Sequence, residues 1–339
     1  LSVRNLETGR RFMRFAVDTG GTFTDLVVED DAGNTEWFKS PTTVEQPLDG
    51  VISALELAAQ HRGESLQEML GQGSLFIHGT TRAINAVVTG STAKTALLTT
   101  AGHPDILLFR EGGRVSPFDY TQPYPEPYIP RALTFEIPER VDAQGDVVAP
   151  LDENAVIAVI DHLRAAEVEA VAVCLLWSML RGDHELRIGE LLDEHLPGIP
   201  YTLSHQINPI IREYRRASST VIDASLKPVM TEYLSNLEQR LRDAAFAGRV
   251  LVVSSGGGML DAAEAARAPI HTLNSGPAMA PVAGQYYADV DTSADNAIIA
   301  DTGGTTYDLS LVRNNRIPRS QETWIGPRLL GHMTGFPSV

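Results

Sequence analysis

Asp18-Thr-Gly-Gly-Thr-Phe-Thr-Asp-Leu26 returns late in the chain as Asp301-Thr-Gly-Gly-Thr-Thr-Tyr-Asp-Leu309, altered only where Phe23-Thr24 becomes Thr306-Tyr307. Each copy follows an apolar run, Phe15-Ala-Val17 or Asn296-Ala-Ile-Ile-Ala300. A Gly-Gly bend between short apolar runs predicts a β-hairpin. Two adjacent glycines let the backbone approach a ligand with no Cβ in the way. Successive N–H groups in such a bend form an anion-binding nest. The flanking aspartate would repel a phosphate on its own, and makes sense with Mg²⁺ between carboxylate and phosphate. One such bend is a common structural turn. Two near-identical copies imply a duplicated lobe, with the hairpins facing each other across a cleft and gripping one phosphate chain.

Outward from the first hairpin, strands and helices alternate. Val51–Gln60 has helical spacing and opens near Asp49. Ser74–Ile77 reads as a strand entering His78-Gly-Thr-Thr81, with a helix from about Arg82, and Thr95–Thr99 as a buried strand. That alternation predicts a sheet covered by helices. Residues 111–150 carry Pro117, Pro123, Pro125, Pro127, Pro130 and Pro138, and are expected to form a long surface excursion ending in a hairpin at Asp142-Ala-Gln-Gly145. Helices near 152–166 and 184–195 flank an apolar strand at 170–177. The helical stretch 210–246 contains Pro228, expected to kink or divide it. Arg249–Val253 reads as a strand running into Ser254-Ser-Gly-Gly-Gly258.

The chain has 339 residues, enough for two or three domains. Its 27 Lys and Arg against 43 Asp and Glu give a net charge of −16. A field of that sign repels nucleic acid and anionic membranes, so an anionic ligand needs local N–H groups, a metal or a few arginines. The most apolar run, Ala170–Trp177, is far short of the ~20 residues of a spanning helix. One cysteine, Cys174, allows no intrachain disulfide and points to a reducing, cytoplasmic compartment. Residues 1–13 read as an N-terminal extension.

Asp18 and Asp301 are the candidate Mg²⁺ ligands and catalytic carboxylates; turn capping is the plainer alternative. Thr19, Gly20, Gly21, Thr22, Gly303, Gly304, Thr305 and Thr306 are the candidate phosphate cradle. Asp25 and Asp308 stand at matching places, equally suited to a strand-end hydrogen bond. His78, at a strand end before a helix N-terminus, could serve as a catalytic base or substrate contact, or be a histidine satisfied by backbone. Cys174 has no cationic neighbour in sequence and reads as an inert buried thiol. His184, His195 and His205 lack metal spacing. Arg212, Arg215 and Arg216 form a basic cluster that reads most simply as a solvated face or as partners of the chain's many acids, with a substrate-anion contact as the alternative.

With His78-Gly-Thr-Thr81, Pro138-Glu-Arg140, Ala172-Val-Cys-Leu-Leu-Trp177, Ser254–Gly258, Ser275-Gly-Pro-Ala278 and both Asp-Thr-Gly-Gly-Thr hairpins, the chain resembles the hydantoinase/oxoprolinase subunit-A family. The C-terminal segments 301–310, 322–326 and 331–335 resemble most the ATP-binding subunits of acetophenone and acetone carboxylases. The resemblance implies an α/β, two-lobed fold of the actin and sugar-kinase ATPase type, with a duplicated mixed sheet and helices on both faces. It places an N-terminal lobe at 14–205 and linking helices with the start of a second, incomplete lobe at 206–339. It implies ATP and Mg²⁺ as cofactors and a second large subunit as partner. It further implies phosphorylation of a small carbonyl substrate, for ketone carboxylation or for cyclic amide hydrolysis of the hydantoinase/5-oxoprolinase kind. A nucleotide-gated scaffolding subunit is the alternative from another class.

Overall fold

The computed structural model describes residues 12–43, 46–111, 118–121, 124, 126–302, 307–320, 324–325 and 331–332. The first hairpin joins β1 (Met13–Thr19) to β2 (Phe23–Glu29), with Asp18 opposite Asp25, and β3 (Thr35–Pro41) continues the meander. On the other side of β1 lies β4 (Gly73–Thr80), in parallel. Burial alternates along β1, as period-2 side-chain placement requires. Met13, Phe15, Val17 and Thr19 point into the core, while Arg14, Ala16 and Asp18 point the other way. Phe15, Phe76 and Phe246 meet with ring centroids 6.1–6.4 Å apart. The Pro47–Arg62 helix closes this core with Val51, Ala54, Leu55 and Ala58. Burying each large apolar side chain contributes roughly 1.5–3 kcal/mol.

A second sheet is wholly parallel, in the order β10-β9-β5-β6, from β5 (Thr95–Thr100), β6 (Thr134–Ile137), β9 (Ala170–Cys174) and β10 (Tyr201–Leu203). Every residue of β5 and β9 is buried, as expected for parallel strands covered on both faces. The Glu153–Ala165 and Asp183–His195 helices cover one face. The long Glu213–Asp243 helix covers the other with Tyr214, Ala217, Val221 and Ala224. Its far end packs Met230, Leu234 and Leu237 into the core of the first sheet, so one rod serves both. Between β6 and β9, β7 (Arg140–Val141) and β8 (Val147–Ala149) form the hairpin read from Asp142–Gly145.

The first sheet is completed by β11 (Arg249–Val253), parallel to β4, and β12 (Met259–Asp261) at its edge. The second hairpin, β13 (Ala297–Thr302) and β14 (Tyr307–Val312), sets Asp301 opposite Asp308, the register of Asp18 opposite Asp25. It packs on the Ala280–Thr292 helix, where Ile299 lies so close to Gly284 that a Cβ there would collide.

Three local readings differ from expectation. Thr134–Ile137, inside the Pro-rich stretch, forms β6, because pairing with β5 supplies the order its own sequence lacks. The helix through Pro228 is not divided there. Buried Leu226 and Met230 on either side hold it against a penalty of about 3 kcal/mol. Arg216 is fully buried, donating to the Leu175 carbonyl (2.7 Å) and the Ile210 carbonyl (2.8 Å), whereas Arg215 pairs with an acid as expected, Glu111 at 2.9 Å.

Candidate functional site

The turn between β1 and β2 closes through the Gly20 N–H donating to the Phe23 carbonyl at 3.0 Å. Neither Gly20 nor Gly21 has the left-handed φ that demands glycine. A Cβ built on Gly21 meets nothing within 4 Å. The fold therefore does not require glycine at 21, and its bare Cα leaves room above the bend. Thr42 N–H donates to the Thr22 carbonyl at 2.9 Å, tying the tip to the end of β3.

Asp18 remains open to solvent, yet its carboxyl is held above the usual carboxylate range. Partial burial is the largest cause, followed by the like charges of Asp25 and then of Asp301. The last of these places the second hairpin within electrostatic reach of the first. Asp25 is itself paired with Lys39 at 2.8 Å. A carboxylate with acidic neighbours is one a cation would relieve. Among the described residues no group of three or more His, Cys, Asp or Glu forms a metal cage. Mg²⁺ needs none, since it is commonly held by one or two carboxylates together with substrate phosphates. Gly303, Gly304, Thr305 and Thr306 lie outside the described residues.

Gly79 escaped the sequence reading. Its Cα faces Asp18, and a Cβ there would stand 2.9 Å from Asp18 Oδ1. The cue was the glycine of His78-Gly-Thr-Thr81, one strand away from the aspartate in a parallel register that only the sheet reveals.

His78 is placed in the core, not at the cleft. Its ring is fully buried, with Nε2 2.8 Å from the Tyr233 hydroxyl and Nδ1 without a partner. Burial lowers its pKa to about 4, so the imidazole is neutral. Thr19 Oγ1 is likewise buried, with the Tyr233 hydroxyl as its near neighbour and no well-formed hydrogen bond among the described residues. Ser275 Oγ donates to the Thr80 carbonyl at 2.9 Å, which sets the Ser275–Ala278 turn against the end of β4. Cys174 is buried, and burial pushes its thiol up to about 11, an inert state.

On the Thr19 side of the hairpin is a pocket of about 240 Å³. Thr19, Gly20, Gly21, Thr42, Thr81 and Arg82 line it, and the helix Arg82–Thr89 forms its wall. Asp18 and Asp301 do not line it. Arg82 was not singled out from sequence; its one signal was its place at the first turn of that helix.

Comparison with known proteins matches two family profiles: "Hydantoinase/oxoprolinase N-terminal region" over residues 14–196 and "Hydantoinase/oxoprolinase" over residues 216–339. The caprolactamase subunit alpha of Pseudomonas jessenii is 34% identical over 331 residues, covering 96% of this chain and 46% of that protein. The acetophenone carboxylase gamma subunit of Aromatoleum aromaticum is 31% identical over 309 residues, covering 87% and 42%. The crystal structure of the ATP-dependent caprolactamase from Pseudomonas jessenii superposes with a TM-score of 0.85 at 33% identity, over 96% of this chain and 47% of that one. The fold is the actin-like ATPase fold. The chain spans about half the length of the curated relatives it matches. No described helix is long and apolar enough to cross a membrane.

Proposed function

The chain belongs to the hydantoinase/oxoprolinase family, and we propose that it is the ATP-binding part of a multi-subunit cytoplasmic enzyme that phosphorylates the carbonyl oxygen of a small substrate. The observation that carries this reading is the Asp-Thr-Gly-Gly-Thr hairpin repeated in matching register, with the charge of Asp301 among the lesser causes that hold the Asp18 carboxyl up. Asp18 and Asp301 would hold Mg²⁺, whose charge, when bound, offsets that of the phosphate oxygens. The bend at Gly20-Gly21 presents N–H groups to a phosphate and no side chain to obstruct it. Gly303–Thr306, which repeat the bend in sequence, are assigned the same role. Positioning and charge stabilisation carry most of the catalysis of phosphoryl transfer. The P–O bond to ADP would break as a P–O bond to the acceptor oxygen forms, with the acceptor's α C–H or N–H proton passing to water. With its ring sealed under the sheet, His78 acts by holding Tyr233 and the end of β4 rather than by touching substrate.

Beyond that shared step, the C-terminal motifs favour a ketone destined for carboxylation with bicarbonate. Likeness to the caprolactamase subunit favours a cyclic amide destined for hydrolysis. The test is ADP release by the complete protein, with the subunits that co-purify, against ketones with bicarbonate and against cyclic amides. One class should stimulate release, and Asp18→Asn or Asp301→Asn should cut it by about 100-fold or more. ATP binding with no acceptor-dependent ADP release would mark a scaffold and overturn the reading.

A further inference from the structure

The pocket behind the first hairpin has a cation on its lining. Arg82 lines it and has no carboxylate partner among the described residues. Neighbouring arginines are engaged, Arg62 by Glu36, Arg240 by Asp49 at 2.6 Å and Arg14 by Glu29 at 2.7 Å. The helix that Arg82 opens has no side-chain cap on its first turn. Its start therefore adds partial positive charge to the same spot. Thr42, Thr89 and Ser91 contribute hydroxyls, and Pro47 and Ala86 an apolar wall. Thr19, whose buried hydroxyl has no well-formed hydrogen bond among the described residues, borders the pocket as well.

The side on which the pocket lies decides its occupant. Along β1, Asp18 and Thr19 point to opposite faces of the sheet. On the proposed reading the metal sits with Asp18 and Asp301, whereas the pocket lies on the Thr19 side. The two meet only at the bare tip, Gly20-Gly21, which lines the pocket. A group seated there would face the terminal phosphoryl across the glycines. At about 240 Å³ the space is below the 300–1,000 Å³ usual for drug-sized ligands, and suits a small molecule.

We propose that this pocket is the acceptor site and that Arg82 grips a planar oxyanion in it, either a carboxylate carried by the small carbonyl substrate or bicarbonate bound beside it. A guanidinium fork matches the two oxygens of such a group bidentately, which a point charge cannot do. Pro47 and Ala86 would take the ring or alkyl part. The inference deepens the phosphorylation reading and rests on it for the side from which the phosphoryl group arrives.

Titration calorimetry of the complete protein tests it, with four probes: 2-pyrrolidone-5-carboxylate, uncharged 2-pyrrolidone, sodium bicarbonate and Mg-ATP. In the unaltered protein, the carboxylate should bind at least about tenfold tighter than its uncharged analogue, or bicarbonate should bind measurably. Which of the two binds identifies the source of the oxyanion. Arg82→Gln should weaken that probe by about tenfold or more and leave Mg-ATP affinity within about twofold. Arg82→Lys should recover part of the loss, since charge returns without the fork. The proposal is overturned if neither oxyanion binds, or if Arg82→Gln weakens Mg-ATP and spares the oxyanion. An unaltered protein that binds the oxyanion through Arg82 but no Mg-ATP would instead sink the phosphorylation reading and leave the pocket standing.

Discussion

Gly79 lacks a side chain where Asp18 leaves no space for one. A methyl group at 79 would sit 2.9 Å from Asp18 Oδ1 and 3.6 Å from both Asp18 Cγ and the Val17 carbonyl oxygen. The carboxylate, being the movable partner, would swing away. Gly79→Ala should therefore leave the unfolding midpoint nearly unchanged while lowering Mg-dependent ATP turnover by about 10- to 100-fold, the loss expected for a group displaced by about 1 Å. Full turnover in that variant would show that the placement of Asp18 is not what Gly79 protects. Arg216 illustrates the opposite lesson. Read beside Arg212 and Arg215 it looks like part of a solvated cluster. Burial instead forces its guanidinium to find the Leu175 and Ile210 carbonyls and the Ser204 hydroxyl. Sequence adjacency on a helix does not fix which of three neighbours faces inward.

The long Glu213–Asp243 helix is the element through which the rest of the molecule reaches the hairpin. It sends Asp223 to the Thr202 hydroxyl (2.8 Å) and the Ile270 N–H (3.2 Å), and Tyr233 to His78 on β4. The joint with β4 carries a pH signature. The unfolded chain protonates His78 near 6.5, whereas the folded protein does so only near 4. Between those values the unfolded state binds more protons, so the stability from burying a neutral ring is full above pH 6.5 and falls as pH drops towards 4. Over the whole window the loss is about 3 kcal/mol. Urea unfolding at pH 7, 5.5 and 4.5 should show that decline, and His78→Gln should flatten it; an equal slope in the variant would reject this account. Elements of this kind were unevenly legible. Both hairpins, β4 with its following helix, β5 and β9 were readable because their apolar runs end at glycine- or threonine-rich junctions. β6 was not, since four residues among prolines become a strand only by parallel pairing with β5. Nor was the continuity of the helix through Pro228, which tertiary burial maintains against local preference. The candidate aspartates and glycines stand out in the sequence by their repetition, whereas Gly79 and Arg82 occur once and become candidates only through packing.

At the scale of the whole molecule, two hairpins from opposite ends of the chain share one electrostatic neighbourhood. In the absence of ligand that arrangement is strained, because the charges of Asp25 and Asp301 oppose the ionisation of Asp18. Sites that gather like charge in this way sacrifice stability for binding. Two consequences of opposite sign follow for Asp301→Asn. Without nucleotide, the variant should be at least as stable as the parent at neutral pH, since one repulsive charge is gone. With Mg-nucleotide the order should reverse. A ligand at 100 times its dissociation constant stabilises the unaltered protein by about 2.7 kcal/mol, and the variant should lose most of that gain. Hydrogen exchange adds the spatial readout. Mg-nucleotide should slow exchange in residues 12–29 and 297–312 together, and Asp301→Asn should abolish protection in both, because on the proposed reading each hairpin contributes half of one clamp. Protection confined to 12–29, with 297–312 exchanging as before, would mean that the first hairpin binds alone, and the argument from the repeated bend would fail with it.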